Sequence, residues 1–269
     1  MKNNNPVALV TGASSGIGLA VAERLTEAGY RVYGTSRRQA ELDRFSFNML
    51  SLDVTSDESV DAAVRELIAR EGRIDLLVNN AGFGLEPAAA EESSVAQAQA
   101  LFDTNFIGVV RMTRAVLPHM RAQKKGRIIN IGSVLGLVPM PYVALYAASK
   151  HAVEGYTEAL DHEVRTAGIR ASVIEPAYTR TLFEANNVPP DAPLEIYQVL
   201  RRTLKLIVSE TMKTADEPDV VALVVVNAAL TNRPRIRYTA GKMAKKLAFL
   251  RRFMPSSLLD SGIRKSLGL

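Results

Sequence analysis

The feature that most limits the fold of this chain is a regular alternation between short apolar runs and longer helical patterns. Short apolar, β-branched runs are typical of strands that are buried on both faces. Helical patterns between them return the chain so that successive strands lie parallel. The alternation predicts an α/β fold, a doubly wound parallel sheet of about seven strands with helices on both faces. The predicted strands are Val7–Val10, Arg31–Thr35, Asn48–Leu52, Asp75–Asn79, Gly126–Ile131, Arg170–Ile174 and a short last strand near Ile236–Tyr238.

Helical patterns fill most of the chain between these strands. Ser56 begins one of them in the manner of a helix cap, because Ser59 follows three residues later and an acidic pair lies between them. The predicted helices are Gly16–Ala28, Ser56–Arg70, Asn105–Gln123, Ala147–Thr166 and Glu217–Ala229. The stretch 178–215 contains three prolines and is expected to be irregular. An insert of that length in a compact domain is usually functional.

The size and composition of the chain favour one soluble domain. Its 269 residues can bury most of their surface around one sheet, so residues 1–269 are expected to form a single domain. Because the chain has no cysteine, disulfides, thiol nucleophiles and cysteine metal sites are excluded. The first six residues are polar and lead directly into a strand, so we expect no signal peptide. The longest apolar stretch, Val220–Leu230, is about half a membrane span, and we expect a cytoplasmic protein.

The positive charge of the chain is concentrated near its C-terminus. The formal net charge is +5, yet residues 231–269 contain ten lysines or arginines and a single acid, Asp260. The apolar residues at helical spacing in the basic extension 239–269 are Met243, Leu247, Leu250 and Met254. Either this stripe packs on the body of the protein, or the extension makes a peripheral contact with an anionic membrane or an acidic partner. No nucleic-acid recognition motif accompanies the charge, so no nucleic acid is expected as a partner.

The first predicted strand runs directly into a glycine-rich segment, Thr11-Gly12-Ala13-Ser14-Ser15-Gly16-Ile17-Gly18, and then into a helix. A helix N-terminus offers unpaired N–H groups and the positive end of the helix dipole to an anion. Glycine lets the backbone approach a phosphate closely. This order predicts a cradle for the pyrophosphate of a dinucleotide. Three glycines in eight residues also occur in ordinary turns, so the motif needs support from elsewhere in the chain.

Tyr146 and Lys150 are four residues apart, which places them on one face of a helix. A phenol has an ordinary pKa of about 10, too high for proton transfer at neutral pH. At roughly 4 Å and an effective dielectric of about 20, a lysine stabilises a phenolate by about 4 kcal/mol, enough to lower the pKa by up to roughly three units. Ser133 follows a predicted strand, at the edge where open α/β sheets bind ligands. Together the three predict a proton-transfer site, although a tyrosine–lysine pair alone is also common on helix surfaces.

With these residues in this order, the chain resembles the short-chain dehydrogenase/reductase family from Val7 to about Tyr238. The motifs that carry the resemblance are Thr11-Gly12-x-x-x-Gly16-x-Gly18, Asp53-Val54, Asn79-Asn80-Ala81-Gly82, Asn105, Ser133 and Tyr146-x-x-x-Lys150. The resemblance implies a Rossmann-type fold and hydride transfer between a nicotinamide cofactor and a carbonyl or alcohol carbon of a small-molecule substrate. It also implies that residues 178–215 form a lid over the substrate; a plain surface excursion is the alternative.

The resemblance further implies four catalytic residues. Tyr146 exchanges a proton with the substrate oxygen, Ser133 hydrogen-bonds to that oxygen, and Lys150 lowers the pKa of the tyrosine and holds the nicotinamide ribose. Asn105 supports a water-linked proton relay to the lysine; the alternative is that it begins a helix. The residues expected to contact the cofactor are Thr11, Gly12, Ser14, Ser15, Gly16, Ile17, Gly18, Ser36, Arg37, Asp53, Val54, Asn80, Ala81, Gly82, Tyr146, Lys150, Pro176 and Thr179.

One departure from the family concerns the residue after Pro176. Where the family commonly has glycine, this chain has Ala177, which leaves the geometry of the turn open. Thr179 or Thr181 is expected to reach the carboxamide or the pyrophosphate of the cofactor.

The end of the second predicted strand decides between the two dinucleotides. A carboxylate there binds the ribose of NAD and repels the 2′-phosphate of NADP, whereas arginine accommodates the phosphate. Here the strand ends in Ser36-Arg37-Arg38, and the first acid after it is Glu41. The sequence therefore predicts NADP, with Arg37 as the main phosphate ligand and Ser36 assisting; the alternative is that the arginines are merely exposed in a loop. The histidines lack metal-ligand spacing, so no metal is expected.

The basic extension and the segment 105–111 resemble the 17β-hydroxysteroid and retinol dehydrogenase branch of the family, whose members act on bulky apolar alcohols and ketones. The apolar lid candidates for such a substrate are Leu182, Phe183, Leu194, Ile196, Tyr197 and Leu200. A 3-oxoacyl reductase and a cofactor-binding regulator or scaffold without turnover are the alternatives. The family also implies a homodimer or homotetramer formed through the helices that begin near Asn105 and Ala147.

Overall fold

The computed structural model describes residues 5–37 and 45–268. The strands in these residues are β1 (Val7–Val10), β2 (Arg31–Ser36), β3 (Asn48–Ser51), β4 (Leu76–Asn79), β5 (Gly126–Ile131), β6 (Ile169–Pro176) and β7 (Arg237–Ala240). They form one sheet in the order β3-β2-β1-β4-β5-β6-β7, in which every pair of neighbours is parallel. The predicted doubly wound parallel sheet is confirmed, and each predicted strand end is within two residues of the observed one.

The helices connect the strands on both sides of the sheet. The α-helices are α1 (Gly16–Glu27), α2 (Asp57–Glu71), α3 (Val95–Phe102), α4 (Gly108–Gln123), α5 (Ala144–Val164), α6 (Gln198–Met212), α7 (Pro218–Leu230), α8 (Lys242–Phe253) and α9 (Ser256–Ser266). Five of them, α1, α2, α4, α5 and α7, match the predicted helices to within three residues at each end. Ser56 caps α2 as predicted, since its hydroxyl accepts a hydrogen bond from the backbone N–H of Ser59 at 3.2 Å.

Two helices correct the sequence prediction. Helix α3 has no predicted counterpart, although Ser94 caps it by accepting a hydrogen bond from the N–H of Gln97 at 3.1 Å. Helix α6 occupies 15 residues of the stretch 178–215, so the expectation that this whole stretch is irregular is wrong. The prolines all precede α6, and they therefore interrupt the chain only up to residue 193.

The core lies in two layers, one on each face of the sheet. Along β1 the side chains alternate, as they must in a strand. Ala8 and Val10 pack with α1 and α7 on one face, whereas Val7 and Leu9 pack with α2, α4 and α5 on the other. Each of these β1 side chains is almost completely buried, and burying a valine or leucine contributes about 1.5–3 kcal/mol. This packing fixes β1, and with it the glycine-rich turn that follows.

A chain of buried polar side chains crosses from the sheet to α5. Asn79 donates a hydrogen bond to the side-chain oxygen of Asn130 at 2.8 Å, and Asn130 donates in turn to the hydroxyl of Thr157 at 2.8 Å. Buried polar groups require partners with good geometry, so the chain allows few relative positions of β4, β5 and α5. Near the end of α5, the buried carboxylate of Asp161 accepts a hydrogen bond from the N–H of Ala171 at 2.9 Å, which ties the helix to β6.

The basic extension forms two helices, α8 and α9. Helix α8 contacts the body through the buried Ala244, while three residues of the predicted apolar stripe, Leu247, Leu250 and Met254, are half-buried. The fourth, Met243, is exposed, so the predicted stripe packs on the body only in part. Among the described residues, no helix combines the length and the apolar character needed to cross a membrane.

Candidate active site

The glycine-rich turn after β1 has the shape of an anion cradle. Gly12 and Gly16 have positive φ angles of 66° and 57°, a conformation that side chains rarely adopt. A Cβ on Gly18 would lie 2.2 Å from the carbonyl oxygen of Gly12, so a side chain there would displace the backbone of the turn. Ser15, the N-cap of α1, makes no capping hydrogen bond with its side chain, and the first turn contains no acid. The N–H groups and the dipole of α1 are therefore available to an anion, and the cradle fits the pyrophosphate of a dinucleotide.

Thr11 and Asn80 lock this turn to the loop after β4. The Thr11 hydroxyl accepts hydrogen bonds from the backbone N–H groups of Asn80 and Ala81 at 2.9 and 3.0 Å. The Asn80 amide donates to the carbonyl oxygens of Thr11 and Gly12 at 3.0 and 3.1 Å. Sequence reasoning places Thr11 and Asn80 at the cofactor, and the structure shows that their side chains are engaged in holding two loops together.

The other predicted residues of the glycine-rich turn and its neighbour lie around this lock. Ser14 and Ser15 are exposed at the start of α1, while Ile17 packs on the core and helps to seat the helix. Gly82 follows on the exposed side of the second loop, and a Cβ there would lie 3.0 Å from the side-chain oxygen of Asn105. The buried Asn105 therefore packs directly beneath the second loop.

Ser133, Tyr146 and Lys150 meet at the carboxyl end of β5. The Lys150 ammonium is buried, donates a hydrogen bond to the carbonyl oxygen of Ile131 at 2.9 Å, and lies 5.7 Å from the centre of the Tyr146 ring. Ser133 accepts a hydrogen bond from the N–H of Leu135 at 3.1 Å and lies close enough to the Tyr146 phenol to lower the pKa of that group. The structure thus brings together the three residues that the sequence predicts as a proton-transfer site.

The electrostatic environment of Tyr146 differs from the prediction. Burial raises the pKa of the Tyr146 phenol above its ordinary value, the carboxylate of Glu184 raises it further, and the hydrogen bond with Ser133 lowers it. The expectation that Lys150 brings this pKa into the neutral range is wrong for this arrangement, because the ammonium is directed to the Ile131 carbonyl. Burial also lowers the pKa of Lys150 to about 8, against the opposing effect of Glu154. At neutral pH the phenol is therefore protonated.

Asn105 lies in a π-helical turn, Asp103–Ile107, that joins α3 to α4. The alternative that it begins a helix is wrong, because the chain is already helical before it. Its side chain accepts a hydrogen bond from the N–H of Phe83 at 3.0 Å and donates to the carbonyl of the same residue at 2.9 Å. A longer contact of 3.5 Å joins it to the hydroxyl of Ser149, which lies between Tyr146 and Lys150 in α5. π-Helical turns are frequent at functional sites.

The predicted nucleoside side of the site lies at the ends of β2 and β3. Burial raises the pKa of Asp53, but hydrogen bonds from Thr55 and the positive charges of Arg37 and Arg111 outweigh it, so the pKa is below its ordinary value. Arg37 is exposed next to Ser36 at the end of β2. Arg38 and Glu41, on which the choice of dinucleotide also depends, lie outside the described residues.

Val54 and Pro176, two further residues predicted to contact the cofactor, lie at the edge of the site. The Val54 side chain is buried under α4, where a Cβ on Gly108 would come within 2.9 Å of it. Pro176 is the last residue of β6, next to Ala177. Ala177 does not have a positive φ angle, so the turn needs no glycine and the departure from the family is accommodated.

The two threonines after β6 have different surroundings. Thr179 donates a hydrogen bond to the carbonyl of Ala177 at 3.1 Å and pairs with Asp216 through an isolated β-bridge. Thr181, in contrast, lies against the glycine-rich turn, since a Cβ on Gly16 would be 3.2 Å from its side chain. Of the two residues that the sequence offers, Thr181 is therefore the one beside the cradle.

The segment 178–215 covers the site beside Tyr146. Phe183 packs edge-on against the Tyr146 ring, with the ring centres 5.9 Å apart, whereas Leu182 and Ile196 are mostly exposed. The cavity next to Tyr146, lined by residues of the stretches 85–93 and 142–146, has a volume of only about 20 Å³. Glu184 follows Phe183 in this segment, and its charge acts on the Tyr146 phenol. Sequence reasoning missed Glu184, because the two residues are far apart along the chain.

Comparison with known proteins agrees with this geometry. The family model for short chain dehydrogenase matches residues 6–191, more than two thirds of the chain. The chain belongs to the short-chain dehydrogenase family. This short-chain dehydrogenase is 38% identical over 266 residues to the 3-ketodihydrosphingosine reductase of Bacteroides thetaiotaomicron, with 96% of each chain covered. Its fold is similar to that of a short-chain dehydrogenase from Streptomyces avermitilis, with a TM-score of 0.83, 32% identity, and 99% and 98% of the two chains covered.

Structures of similar short-chain dehydrogenases contain either nicotinamide cofactor. ElxO with NADP bound has a TM-score of 0.75 and 27% identity, over 88% of this chain and 97% of the other. A family member from Burkholderia phymatum in complex with NAD has a TM-score of 0.76 and 28% identity, over 88% of this chain and 90% of the other. The chain is thus an oxidoreductase of this family whose structural neighbours bind NADP or NAD.

The cradle leads to a direct test with Gly18→Ala. We expect the variant to bind both NADPH and NADH at least about tenfold more weakly, because the added methyl group displaces the turn that receives the pyrophosphate. Gly262→Ala is the matched control, since a Cβ at that helical glycine meets nothing within 4 Å. Titration calorimetry measures both affinities. Wild-type affinity in Gly18→Ala would show that the dinucleotide lies elsewhere.

Proposed function

We propose that this protein is an NADP(H)-dependent reductase that converts a bulky, apolar, lipid-like ketone to the secondary alcohol. The observation that carries the proposal is the meeting of Ser133, Tyr146 and Lys150 at the carboxyl end of β5, beside a glycine cradle that fits a dinucleotide. A non-catalytic cofactor-binding protein has no need of all three side chains in this arrangement.

The residues divide the reaction among them. When bound, NADPH supplies the hydride that reduces the carbonyl carbon and is left as NADP⁺. Tyr146 gives its proton to the carbonyl oxygen, so that ketone, hydride and proton together make the alcohol. Ser133 accepts a hydrogen bond from the Leu135 N–H, so its one proton can turn from the Tyr146 oxygen to the substrate oxygen as negative charge develops there. Lys150 holds the nicotinamide ribose, and Asn105 supports the path by which Tyr146 regains a proton.

Tyr146 is protonated at neutral pH, as reduction requires. The ordinary pKa of a phenol already lies well above neutrality, and burial of Tyr146 raises its pKa further. A protonated phenol donates to a carbonyl oxygen, whereas alcohol oxidation requires it to accept a proton.

NADP is the proposed cofactor because Arg37 follows β2 at the position that meets the adenosine ribose. Its charge helps to lower the pKa of the Asp53 carboxylate, and this nearness supports the assignment of Arg37 to the nucleoside side of the cradle. Ser36 at the same strand end assists Arg37 in binding the phosphate. Asp53 and Val54 flank the adenine. The nicotinamide end is lined by Gly82, Pro176 and Thr179. Arginine at this place attracts the 2′-phosphate that distinguishes NADP from NAD.

The proposed substrate class rests on the segment 178–215 and on the relatives. Residues in this segment that are apolar and largely exposed, such as Leu182 and Ile196, suit a long alkyl chain or a flat ring system. The Bacteroides relative is named a 3-ketodihydrosphingosine reductase, which agrees with reduction of a lipid-like keto compound. Because the cavity beside Tyr146 is so small, the segment acts as a lid that moves when such a substrate enters.

We further propose that α8 and α9 contact an anionic membrane surface peripherally. Phe249 and Phe253 are more than 60% exposed on α8 and lie 4.8 Å apart, next to the exposed Arg251 and Arg252. Exposed aromatic side chains among basic ones suit the interface of a negatively charged bilayer. Binding through this surface would bring the enzyme to a lipid substrate that lies in the same membrane.

A homodimer or homotetramer and a cytoplasmic location stay predictions. The surface around α3 and α4 offers a place for subunit contact, because Val95 and Ile107 are exposed there. The residues around an open depression of about 400 Å³ on this surface are Gln99, Ala100, Phe102, Asp103 and Ile107.

Removal of one hydroxyl tests the reaction. We expect Tyr146→Phe to lower the rate of NADPH-dependent ketone reduction by about three orders of magnitude while NADPH binding is retained, because only the proton donor is lost. Tyr156→Phe, in the same helix but packed against Phe106, is the control and should keep its activity. Absorbance of NADPH with a panel of steroid, retinoid, aliphatic and quinone ketones gives the rates. Wild-type turnover in Tyr146→Phe, or no turnover of any ketone by the wild type, would favour the non-catalytic alternative.

The choice of cofactor is tested at Arg37. We expect Arg37→Ala to bind NADPH about tenfold to a hundredfold more weakly and NADH with unchanged affinity, because a charge-assisted hydrogen bond to the 2′-phosphate is lost. Arg233→Ala, an exposed arginine before β7, should bind both as the wild type does. Equal affinities of the wild type for NADPH and NADH would contradict the assignment.

Sedimentation with vesicles tests the membrane contact. We expect the protein to pellet with phosphatidylserine vesicles at low salt, but neither at high salt nor with phosphatidylcholine, because screening weakens the attraction. The double variant Phe249→Ser and Phe253→Ser should stay in the supernatant, while Leu223→Ser, an exposed apolar residue of α7, should behave as the wild type. If the fraction of wild-type protein in the pellet does not depend on salt, the charge of α8 and α9 serves only solubility.

A further inference from the structure

Two buried carboxyl groups lie behind the loop that carries Ser133. Glu154 in α5 and Glu175 in β6 are 3% and 1% exposed, and no step of the proposed reaction uses them. A Cβ on Gly132 would lie 2.8 Å from Oε1 of Glu154, and a Cβ on Gly136 would lie 2.9 Å from its Cγ. Because these two glycines flank Ser133 on either side, the loop packs directly on the Glu154 side chain.

The Lys150 ammonium lies on the same side of α5 as the Glu154 carboxyl group. Lys150 precedes Glu154 by one helical turn, which places both side chains on one face of the helix. The ammonium donates to the carbonyl of Ile131 at 2.9 Å, and the carboxyl group lies against the next residue, Gly132. The two groups thus meet at consecutive residues at the end of β5. Burial lowers the pKa of Lys150 to about 8, and the charge of Glu154 opposes this effect.

The two buried carboxyl groups lack hydrogen-bond donors. Nη1 of Arg237 is 3.5 Å from Oε2 of Glu154 and 3.9 Å from Oε1 of Glu175, too far for an N–H···O bond. The other terminal nitrogen of Arg237 donates to the exposed Glu158 at 3.0 Å. Within the part of the chain that the structure describes, both oxygens of Glu154 and Oε1 of Glu175 are buried without a hydrogen-bond partner. Such groups are rare, because desolvation of an unpaired carboxylate is costly.

One proton between the two carboxyl groups supplies the missing donor. Both groups approach the same nitrogen of Arg237, and a protonated carboxyl group donates to an ionised one. Two carboxylates at close range resist double ionisation and hold one proton between them. Burial raises the pKa of both groups, the charge of Glu175 raises that of Glu154 further, and Arg237 lowers both. The other charged groups that face Glu154 are Lys150 and Glu158 of the same helix.

We propose that Glu154 and Glu175 share one proton and act as positioning residues, and that their single negative charge keeps Lys150 in its ammonium form. The effect on the reaction rests on the proposed reductase function, whereas the shared proton is a property of the protein without cofactor. An ammonium group has three N–H donors. Lys150 uses one of them on Ile131, which leaves two for the nicotinamide ribose. Loss of the charge removes a donor and therefore weakens the hold on the ribose.

Glutamine substitutions test the shared proton without any substrate. Glutamine is neutral and offers an N–H in place of the proton, so Glu154→Gln and Glu175→Gln each keep the single negative charge. At about pH 7 we expect the infrared spectrum of the wild type to contain a protonated-carboxyl carbonyl band that both variants lack. Glu163→Gln, an exposed acid near the end of α5, is the control and should keep the band. Absence of this band from the wild type, or its survival in either variant, would overturn the proposal.

The pH dependence of ketone reduction tests the effect on Lys150. We expect the alkaline limb of the kcat/KM profile to lie near pH 8 in the wild type and in each single variant. In the double variant Glu154→Gln and Glu175→Gln, which lacks the negative charge, the limb should lie about one pH unit lower. A purely structural role would lower the rate without moving the limb. NADPH affinity equal to that of the wild type at about pH 6, where Lys150 is charged throughout, shows that the double variant is folded.

The contrary outcomes separate this inference from the reductase function. An unmoved limb in the double variant, or a shift in a single variant as large as in the double variant, would refute the role of the pair. If the wild type reduces no ketone, the reductase function fails. The infrared band then still decides the shared proton, and the pH dependence of NADPH affinity decides the effect on Lys150.

Discussion

The site depends on the way α5 is docked against the carboxyl end of β5. The buried Lys150 ammonium takes the carbonyl of Ile131, the last residue of the strand, as its hydrogen-bond acceptor. One turn of helix earlier, the same docking carries Tyr146 to Ser133. The approach is close because Gly136 has no side chain: a Cβ there would lie 3.0 Å from the Lys150 carbonyl. The buried hydrogen bond between Asn130 and Thr157 fixes the helix further along. A charged hydrogen bond contributes about 1.5–3 kcal/mol, so this docking is both specific and stabilising.

Acidic residues beneath Lys150 complete this electrostatic arrangement. Glu154, one turn after Lys150, and Glu175 in β6 are both buried, and burial together with their mutual repulsion raises the pKa of Glu154. Arg237 approaches both, at 3.5 and 3.9 Å, from the neighbouring strand β7. Lys150 and the two acids are buried here, and the partly exposed Arg237 completes a cluster that joins α5, β6 and β7. The pKa of Lys150 is therefore set by burial and by Glu154, both of which follow from the packing of α5.

The sequence predicts the sheet well because its strands are buried on both faces and so consist of apolar, β-branched runs. The same reasoning finds Ser133, Tyr146 and Lys150, which depend on local spacing and on strand ends. It fails where the signal is not local. The prolines at 189, 190 and 193 led to the prediction of an irregular stretch, although a helix begins at Gln198. The pKa of Tyr146 depends on Glu184, and on where Lys150 finds its acceptor, and neither contact can be read from the run between residues 146 and 150. Thr181 and Thr179 are equivalent in the sequence, and only the path of the chain after β6 separates them.

The segment 178–215 is held to the body unequally along its length. Its outer part is anchored by Glu92, a buried acid that accepts a hydrogen bond from the N–H of Leu194 at 2.9 Å and pairs with Arg201. Its inner part, around Val188, is joined to Gly84 and Glu86 by two backbone hydrogen bonds. Two backbone hydrogen bonds contribute only about 1–3 kcal/mol, so the inner part is held mainly by packing, such as that of Phe183 on the Tyr146 ring. The buried acid and its arginine partner make the outer part, which leads into α6, the more polar of the two attachments.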